Sequence, residues 1–319
     1  MHSTIAMPAA DPTLAAYRNP LARYFAATRP AFLGVTLVGC LLGLAAAFAD
    51  GVALRAPTAF LTLAFALVAH AGINVLNDYY DALNGSDAAN AERRFPYTGG
   101  SRFIQNGVLS LRATRLFGYG LLAAVVPAGL WLAQHSAPGL LGIGLAGLAI
   151  GWAYSAPPLK LMSRGLGEVA VACGWLIVVL GADYVQRGAF SATPLAAGLS
   201  YALHVANLLF INQFPDVKAD AAAGKRNLVV RLGPERARWL YPLILAAACL
   251  WLVGAVLAGA LPALALAALV SAFPAIVAAR LLLAQARRPE ALDPAIRATI
   301  GAAMLHGAVL CGALFAARA

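Results

Sequence analysis

Apolar residues along this chain gather into long runs, broken by short stretches rich in Arg, Asp, Gly and Pro. Nine runs approach the length a bilayer demands: 31–49, 58–76, 113–132, 139–154, 166–185, 193–214, 239–258, 262–283 and 295–317. About 20 apolar residues cross the roughly 30 Å of hydrocarbon as a helix. Backbone groups in lipid must be paired internally, so the runs predict helices rather than open strands. The fourth run is short and borrows residues from its flanks. The expected fold is therefore all-α and integral to a membrane, with about nine transmembrane helices. Residues 1–28 are read as a cytoplasmic N-terminal segment and residues 29–319 as a single polytopic domain. Residues 12–28 mix Tyr17, Arg18, Arg23, Tyr24 and Phe25 and predict a short helix lying on the membrane surface. No basic-flanked apolar core marks a cleaved signal peptide near Met1.

Composition supports this reading. Hydrophobic residues make up 61% of the chain and charged residues 11%, well below the roughly 25% charged residues of soluble domains. With the N-terminus in the cytoplasm, twenty of the 23 basic residues fall in inside segments, and only Arg55, Arg187 and Arg318 fall outside. That is the positive-inside bias. The net charge of +10 is thus a topology signal, and no nucleic-acid partner is expected. Cys40, Cys173, Cys249 and Cys311 lie singly in apolar runs and predict neither a metal site nor a disulfide framework.

Acidic residues number only 13, and two clusters hold much of the total. The first follows the second run: Asn74, Asn77, Asp78, Asp81 and then Asp87. The second follows the sixth: Asn207, Asn212, Gln213, Asp216 and Asp220. Four spans separate them, so both face one side of the membrane. Spacings of three and four put Asn74, Asp78 and Asp81 on one helical face, and Asn212, Asp216 and Asp220 on another. The two stripes, at 74–87 and 207–227, hint at an internal duplication. Each carboxylate at membrane depth costs about 2.5–3.5 kcal/mol, and several around one cavity repel each other. Mg²⁺ removes both problems, because it takes oxygen ligands and bridges carboxylates to substrate phosphates. The stripes fit two or three such ions around one diphosphate.

Basic loops adjoin both clusters. Residues 98–102 form a Gly-Gly-Ser turn beside Arg102, of the kind that points backbone N–H groups at an anion. Lys225 and Arg226 follow the second stripe. Between the fourth and fifth runs lie Tyr154, a Pro-Pro turn and Lys160. The Tyr154 ring is either an interface-belt tyrosine or a face that shields a carbocation. His70, His204 and His306 are intramembrane; helix-packing hydrogen bonds are their ordinary role, and lining a substrate cavity is the alternative.

The motifs Asn77–Asp78–Tyr79–Tyr80–Asp81 and Asp216–Val217–Lys218–Ala219–Asp220, with about nine helices, resemble the UbiA superfamily of intramembrane prenyltransferases. The stretches 77–87, 98–107 and 212–233 are most similar to its 1,4-dihydroxy-2-naphthoate polyprenyltransferase branch, which serves menaquinone synthesis. The resemblance implies Mg²⁺-dependent transfer of a polyprenyl group from a prenyl diphosphate to an aromatic acceptor, in a cavity open sideways to lipid. It implies that Asp78, Asp81, Asp216 and Asp220 hold Mg²⁺, with Asn74, Asn77 and Asn212 in support. Arg102, Lys160, Lys225 and Arg226 become candidate diphosphate partners. The superfamily often has a third Asp where this chain has Gly85, so Asp87 joins the metal set by displacement. The implied setting is a bacterial-type inner membrane with the active site toward the cytoplasm. 4-Hydroxybenzoate, homogentisate and tetrapyrroles remain alternative acceptors. A transporter is the alternative of another class, but it ordinarily breaks its helices near the bilayer midplane. A phosphatidyl-alcohol transferase lacks its motif here.

Overall fold

The computed structural model describes residues 11–318. Among them every regular element is helical. In chain order these are α1 Pro20–Ala27, α2 Pro30–Ala49, α3 Ala56–Asn84, α4 Ser86–Ala89, α5 Leu111–Gln134, α6 Gly139–Ser155 and α7 Gly167–Arg187. There follow α8 Ala192–Ala222, α9 Leu228–Leu232, α10 Pro234–Ala237, α11 Leu240–Leu257, α12 Ala272–Gln285 and α13 Asp293–Ala316. A 3₁₀ stretch, Ala263–Ser271, leads into α12. Eight helical stretches are long and apolar enough to cross a membrane, and α6, at 17 residues, is a shorter ninth.

Two helices outrun the apolar pattern. The predicted second and sixth spans stop at Leu76 and Phe214, but α3 and α8 continue to Asn84 and Ala222. At 29 and 31 residues they are roughly 44 and 46 Å long, well over the thickness of the hydrocarbon. Their last turns therefore emerge from it, with the aspartates riding on rigid helix rather than on loop. Gly85, at φ 83°, ends α3 in the left-handed conformation, which glycine adopts without steric cost.

Small residues bring the helices close. A Cβ on Gly43 of α2 would run into the Val179 carbonyl of α7, and one on Gly118 of α5 would come within 2.8 Å of Leu76 of α3. Packing of this kind drives helix association where lipid offers no hydrophobic force. The main core joins α2, α7, α8 and α13 around Leu42, Val179, Tyr201 and Leu310. His204 and His306 stack at 4.0 Å and share hydrogen bonds with Ser200 and Ser271, tying α8, α13 and the 3₁₀ stretch together. These two histidines hold helices and do not line the cavity. On α1, Leu21 is 82% exposed and Phe25 63%, as a surface-lying helix requires.

Candidate active site

One cavity, of about 670 Å³, runs between α2, α3, α5, α6, α7 and α8. Its walls are apolar for most of their length, and its polar end is set by the last turns of α3 and α8. Asn74, Asn77, Asp81, Asp87, Asn212, Asp216, Asp220, Tyr154 and Lys225 all line it. Val126, Leu130 and Leu145 line the cavity from α5 and α6 yet are 48%, 50% and 68% exposed. The chamber therefore opens sideways, toward lipid. At the far end Arg55 donates to the carbonyls of His135 and Val185 at 2.6 and 2.7 Å, which knits that end together.

The two acidic stripes meet through two bridges. The first is Lys225, which lies 2.8 Å from Asp81 and 3.3 Å from Asp220. Burial works against its charge, but the facing Asp81 and Asp220 carboxylates outweigh it and hold the ammonium above the ordinary lysine range. Asn227 donates to Asp220 at 2.8 Å while capping α9, so it fixes the stretch of chain that carries Lys225. The second bridge is the loop at residues 99–101. The Gly99 N–H donates to Asp216 at 3.2 Å and the Ser101 N–H to Asp78 at 3.3 Å. Two residues of chain span at most about 7 Å, so Asp78 and Asp216 are held to the two sides of one short loop. Asn90 adds a 2.6 Å bond to Asp216, and Arg29 lies 3.8 Å from Asp78.

Several sequence expectations are redirected by this arrangement. The Gly-Gly-Ser turn does present N–H groups to an anion, but the anion is the protein's own carboxylate. Asp78 is 4% exposed and sits behind this loop rather than on the cavity wall. Arg102, Lys160 and Arg226 are not brought to the cavity. Arg102 donates to the Asp87 carbonyl at 2.7 Å, so it braces α4 instead. Arg226 is exposed, and its main chain bonds Ser163 and Arg231. Arg29, Asn90 and Asn227 join the site in roles that sequence reasoning misses. None of them carries a local pattern that points to the site. His70 does line the cavity, and its Nδ1 lies 2.8 Å from the Thr36 hydroxyl.

The donor set suits a hard divalent cation. Around the polar end it consists mainly of carboxylate, amide and hydroxyl oxygens; the Met162 sulfur is taken by Asn77 at 3.4 Å, and the His70 imidazole, a turn deeper than Asn74, by Thr36. Ser86 Oγ, Asn90 Oδ1 and Asn212 Oδ1 are buried without a partner. Asp87 is pushed up to about 8, first by burial and then by the neighbouring Asp81 and Asp78 charges. Such a group is short of positive charge. Among the described residues no three acidic, His or Cys groups converge as a ready-made metal cage. Mg²⁺ commonly takes one or two carboxylates and completes its shell with water and phosphate.

Gly100 sets the closeness of the loop. Its φ is 67°, and a Cβ there would strike Asp87 Oδ2 and lie 3.1 Å from Asp78 Oδ1. Gly100→Ala should therefore cut turnover at least about tenfold while the protein still inserts, since misplacement by about 1 Å has large kinetic cost. An initial-rate assay on the purified variant checks this, and a rate within twofold of wild type would show that the loop can yield.

The family model of the UbiA prenyltransferase family matches residues 36–315. The chain belongs to this family. A 1,4-dihydroxy-2-naphthoate octaprenyltransferase of Mycobacterium tuberculosis is 32% identical over 191 residues, covering 60% of this chain and 63% of that protein. A 2-carboxy-1,4-naphthoquinone phytyltransferase of Synechocystis is 31% identical over 179 residues, covering 55% of this chain and 54% of that protein. The chain thus spans between about half and just under two thirds of the length of these relatives. Among solved structures, a UbiA homologue from Archaeoglobus fulgidus bound to DMAPP and Mg²⁺ superimposes with a TM-score of 0.55 at 19% identity, covering 90% of this chain and 99% of that one. At that identity the likeness establishes the UbiA fold alone.

Proposed function

We propose that this protein transfers a polyprenyl group from a prenyl diphosphate to an aromatic acceptor, with Mg²⁺ as cofactor and 1,4-dihydroxy-2-naphthoate as the acceptor. The observation that carries the reading is the junction of two acidic helix ends and a buried lysine at the head of a long apolar cavity. The relatives named for naphthoate substrates support the choice of acceptor, and the Mg²⁺ and prenyl diphosphate bound to the Archaeoglobus homologue support the cofactor and donor. The protein sits in a bacterial-type inner membrane with this end toward the cytoplasm, as the distribution of arginine and lysine favours.

Asp81, Asp87, Asp216 and Asp220 would hold Mg²⁺, with Asp78 fixing the loop that shapes them. Bound Mg²⁺ would neutralise the diphosphate and make it a better leaving group. Lys225 adds fixed positive charge where negative charge grows as the C–O bond loosens. Asn74, Asn77 and Asn212 orient this end, Asn77 through 3.0 and 3.2 Å bonds to Ser155 and Asp81. Tyr154 presents an aromatic face to the allylic carbon as positive charge develops there. The apolar walls keep water from quenching that charge. The acceptor ring then attacks the first prenyl carbon and loses a proton or, for a naphthoate, CO₂.

The test is a transfer assay on purified protein with one long prenyl diphosphate, Mg²⁺ and a panel of aromatic acceptors. Preference for 1,4-dihydroxy-2-naphthoate is expected; no transfer to any aromatic acceptor would reject the proposal. The same assay carries a pH prediction. Asp87 titrates near 8, so below that pH a proton occupies the carboxylate and Mg²⁺ must displace it. Half-saturating Mg²⁺ should fall as pH rises from 7 to 9, by up to about tenfold per unit below 8 for one displaced proton. Asp87→Asn should flatten that dependence. A flat dependence in wild type would contradict the assignment.

A further inference from the structure

The transfer reading leaves one polar feature of the cavity unused. Gln213 lies on the cavity wall, on α8, and Glu168 stands behind it at the start of α7. Both are 7% exposed. Gln213 Nε2 donates to Glu168 Oε1 at 2.5 Å, across 45 residues of chain. An ionised Glu168 accepts only, so it selects the NH₂ end of the amide and turns the carbonyl end away; its own Oε2 is likewise buried without a partner. Gln213 Oε1 is then buried with no partner. A buried carbonyl left unpaired costs about 1–3 kcal/mol, and so calls for a donor.

The chemistry of the donor is restricted. Phosphate oxygens would be repelled by a carbonyl oxygen, and a prenyl tail has no donor at all. Mg²⁺ also takes amide oxygens, but its place is among the aspartates, whereas Gln213 is tied back to Glu168; among the reactants an aromatic hydroxyl is the remaining donor. Gln213 also precedes Asp216 by three residues, which sets it about 4.5 Å deeper along the helix. That is the level at which the first prenyl carbon would follow a diphosphate held at Asp216.

We propose that Gln213 accepts a hydrogen bond from a ring hydroxyl of the aromatic acceptor, and that Glu168 is a positioning residue that fixes the Gln213 amide. This rests on the transferase reading and names how its acceptor is recognised. Glu168 also polarises the amide, which makes Oε1 a stronger acceptor. Drawing on the hydroxyl proton raises electron density in the ring that attacks. In that attack the ring forms the new C–C bond, the prenyl C–O bond breaks with its electron pair going to diphosphate, and the ring loses H⁺ or CO₂. Gln213 takes no proton.

The experiment compares wild type, Gln213→Met and Glu168→Gln, using 1,4-dihydroxy-2-naphthoate and its O-methylated analogue. It reads both Michaelis constants, together with binding of each aromatic compound by tryptophan fluorescence. Gln213→Met should raise the acceptor KM about tenfold or more and leave the prenyl diphosphate KM within twofold. The methylated analogue should bind wild type and Gln213→Met alike. Glu168→Gln, whose amide oxygen can still accept from Gln213, should fall between them, whereas Glu168→Leu should match Gln213→Met. Equal rises in both Michaelis constants, or equal losses for parent and methylated analogue, would overturn the proposal and leave Gln213 as a helix-packing lock. If wild type transfers no prenyl group at all, the transferase reading fails, and the binding comparison still reports whether Gln213 recognises the hydroxyl.

Discussion

Asp216→Ala is expected to leave prenyl transfer at least about a thousandfold below wild type, because the side chain serves several purposes at once. Its carboxylate lines the cavity, receives Asn90 at 2.6 Å and anchors the Gly99 N–H. Removing it would take away an oxygen donor from the proposed Mg²⁺ site. It also frees the loop whose other side is pinned to Asp78, so both acidic stripes lose their register. Asp78→Ala should be nearly as damaging although Asp78 does not line the cavity, because Ser101 and Arg29 lose their partner. Radiolabelled prenyl transfer by purified protein, with membrane insertion checked in parallel, measures both. Near-normal turnover in Asp216→Ala would reject the metal assignment, and in Asp78→Ala it would reject the role given to the loop.

Lys225→Met should be the second large effect. Lys225 is 8% exposed and is the one side chain that pairs with both Asp81 and Asp220 among the described residues. Its loss leaves two buried carboxylates facing each other without a counter-charge, a change that typically costs about 3–5 kcal/mol. Without Mg²⁺ the variant should unfold at a clearly lower temperature in detergent, and added Mg²⁺ should recover part of the difference by mass action. Turnover should fall about 10²–10³-fold, the usual loss when a preorganised charge at a developing anion is removed. Lys225→Arg keeps the charge but not the compact ammonium that fits between two oxygens, so it should recover stability better than rate. Turnover within tenfold of wild type in Lys225→Met would remove the lysine from the reaction.

The parts of this site that repeat locally are legible from residues alone. Asp78 and Asp81, and Asp216 and Asp220, follow helical spacing, and helical spacing survives into the structure. The apolar runs stop short of them because hydropathy ends where acids begin, whereas α3 and α8 do not. Direction is harder to read. Arg226 and Lys225 are neighbours with similar charge, yet Asn227 and Asp220 turn one inward and leave the other in solvent. The Gly-Gly-Ser turn carries a sound rule about N–H groups and anions, but its anions are Asp78 and Asp216, more than twenty and more than a hundred residues away in the chain. Arg102 and Lys160 stand out only by charge near a loop, a signal that every cytoplasmic loop of a membrane protein gives. The Gln213–Glu168 pair crosses two helices, and neither residue has a local pattern that announces the other.

If one ligand joins both acidic helix ends, binding of a non-reactive prenyl thiodiphosphate with Mg²⁺ tests that junction most directly. Affinity should be measured for wild type, Asp81→Asn, Asp220→Asn and the double variant, forming a complete cycle. Residues that grip one ligand together should be strongly non-additive, the double variant binding hardly worse than either single one. Independent, fully additive losses would mean that the two ends serve separate ligands, and a shared diphosphate site would be refuted.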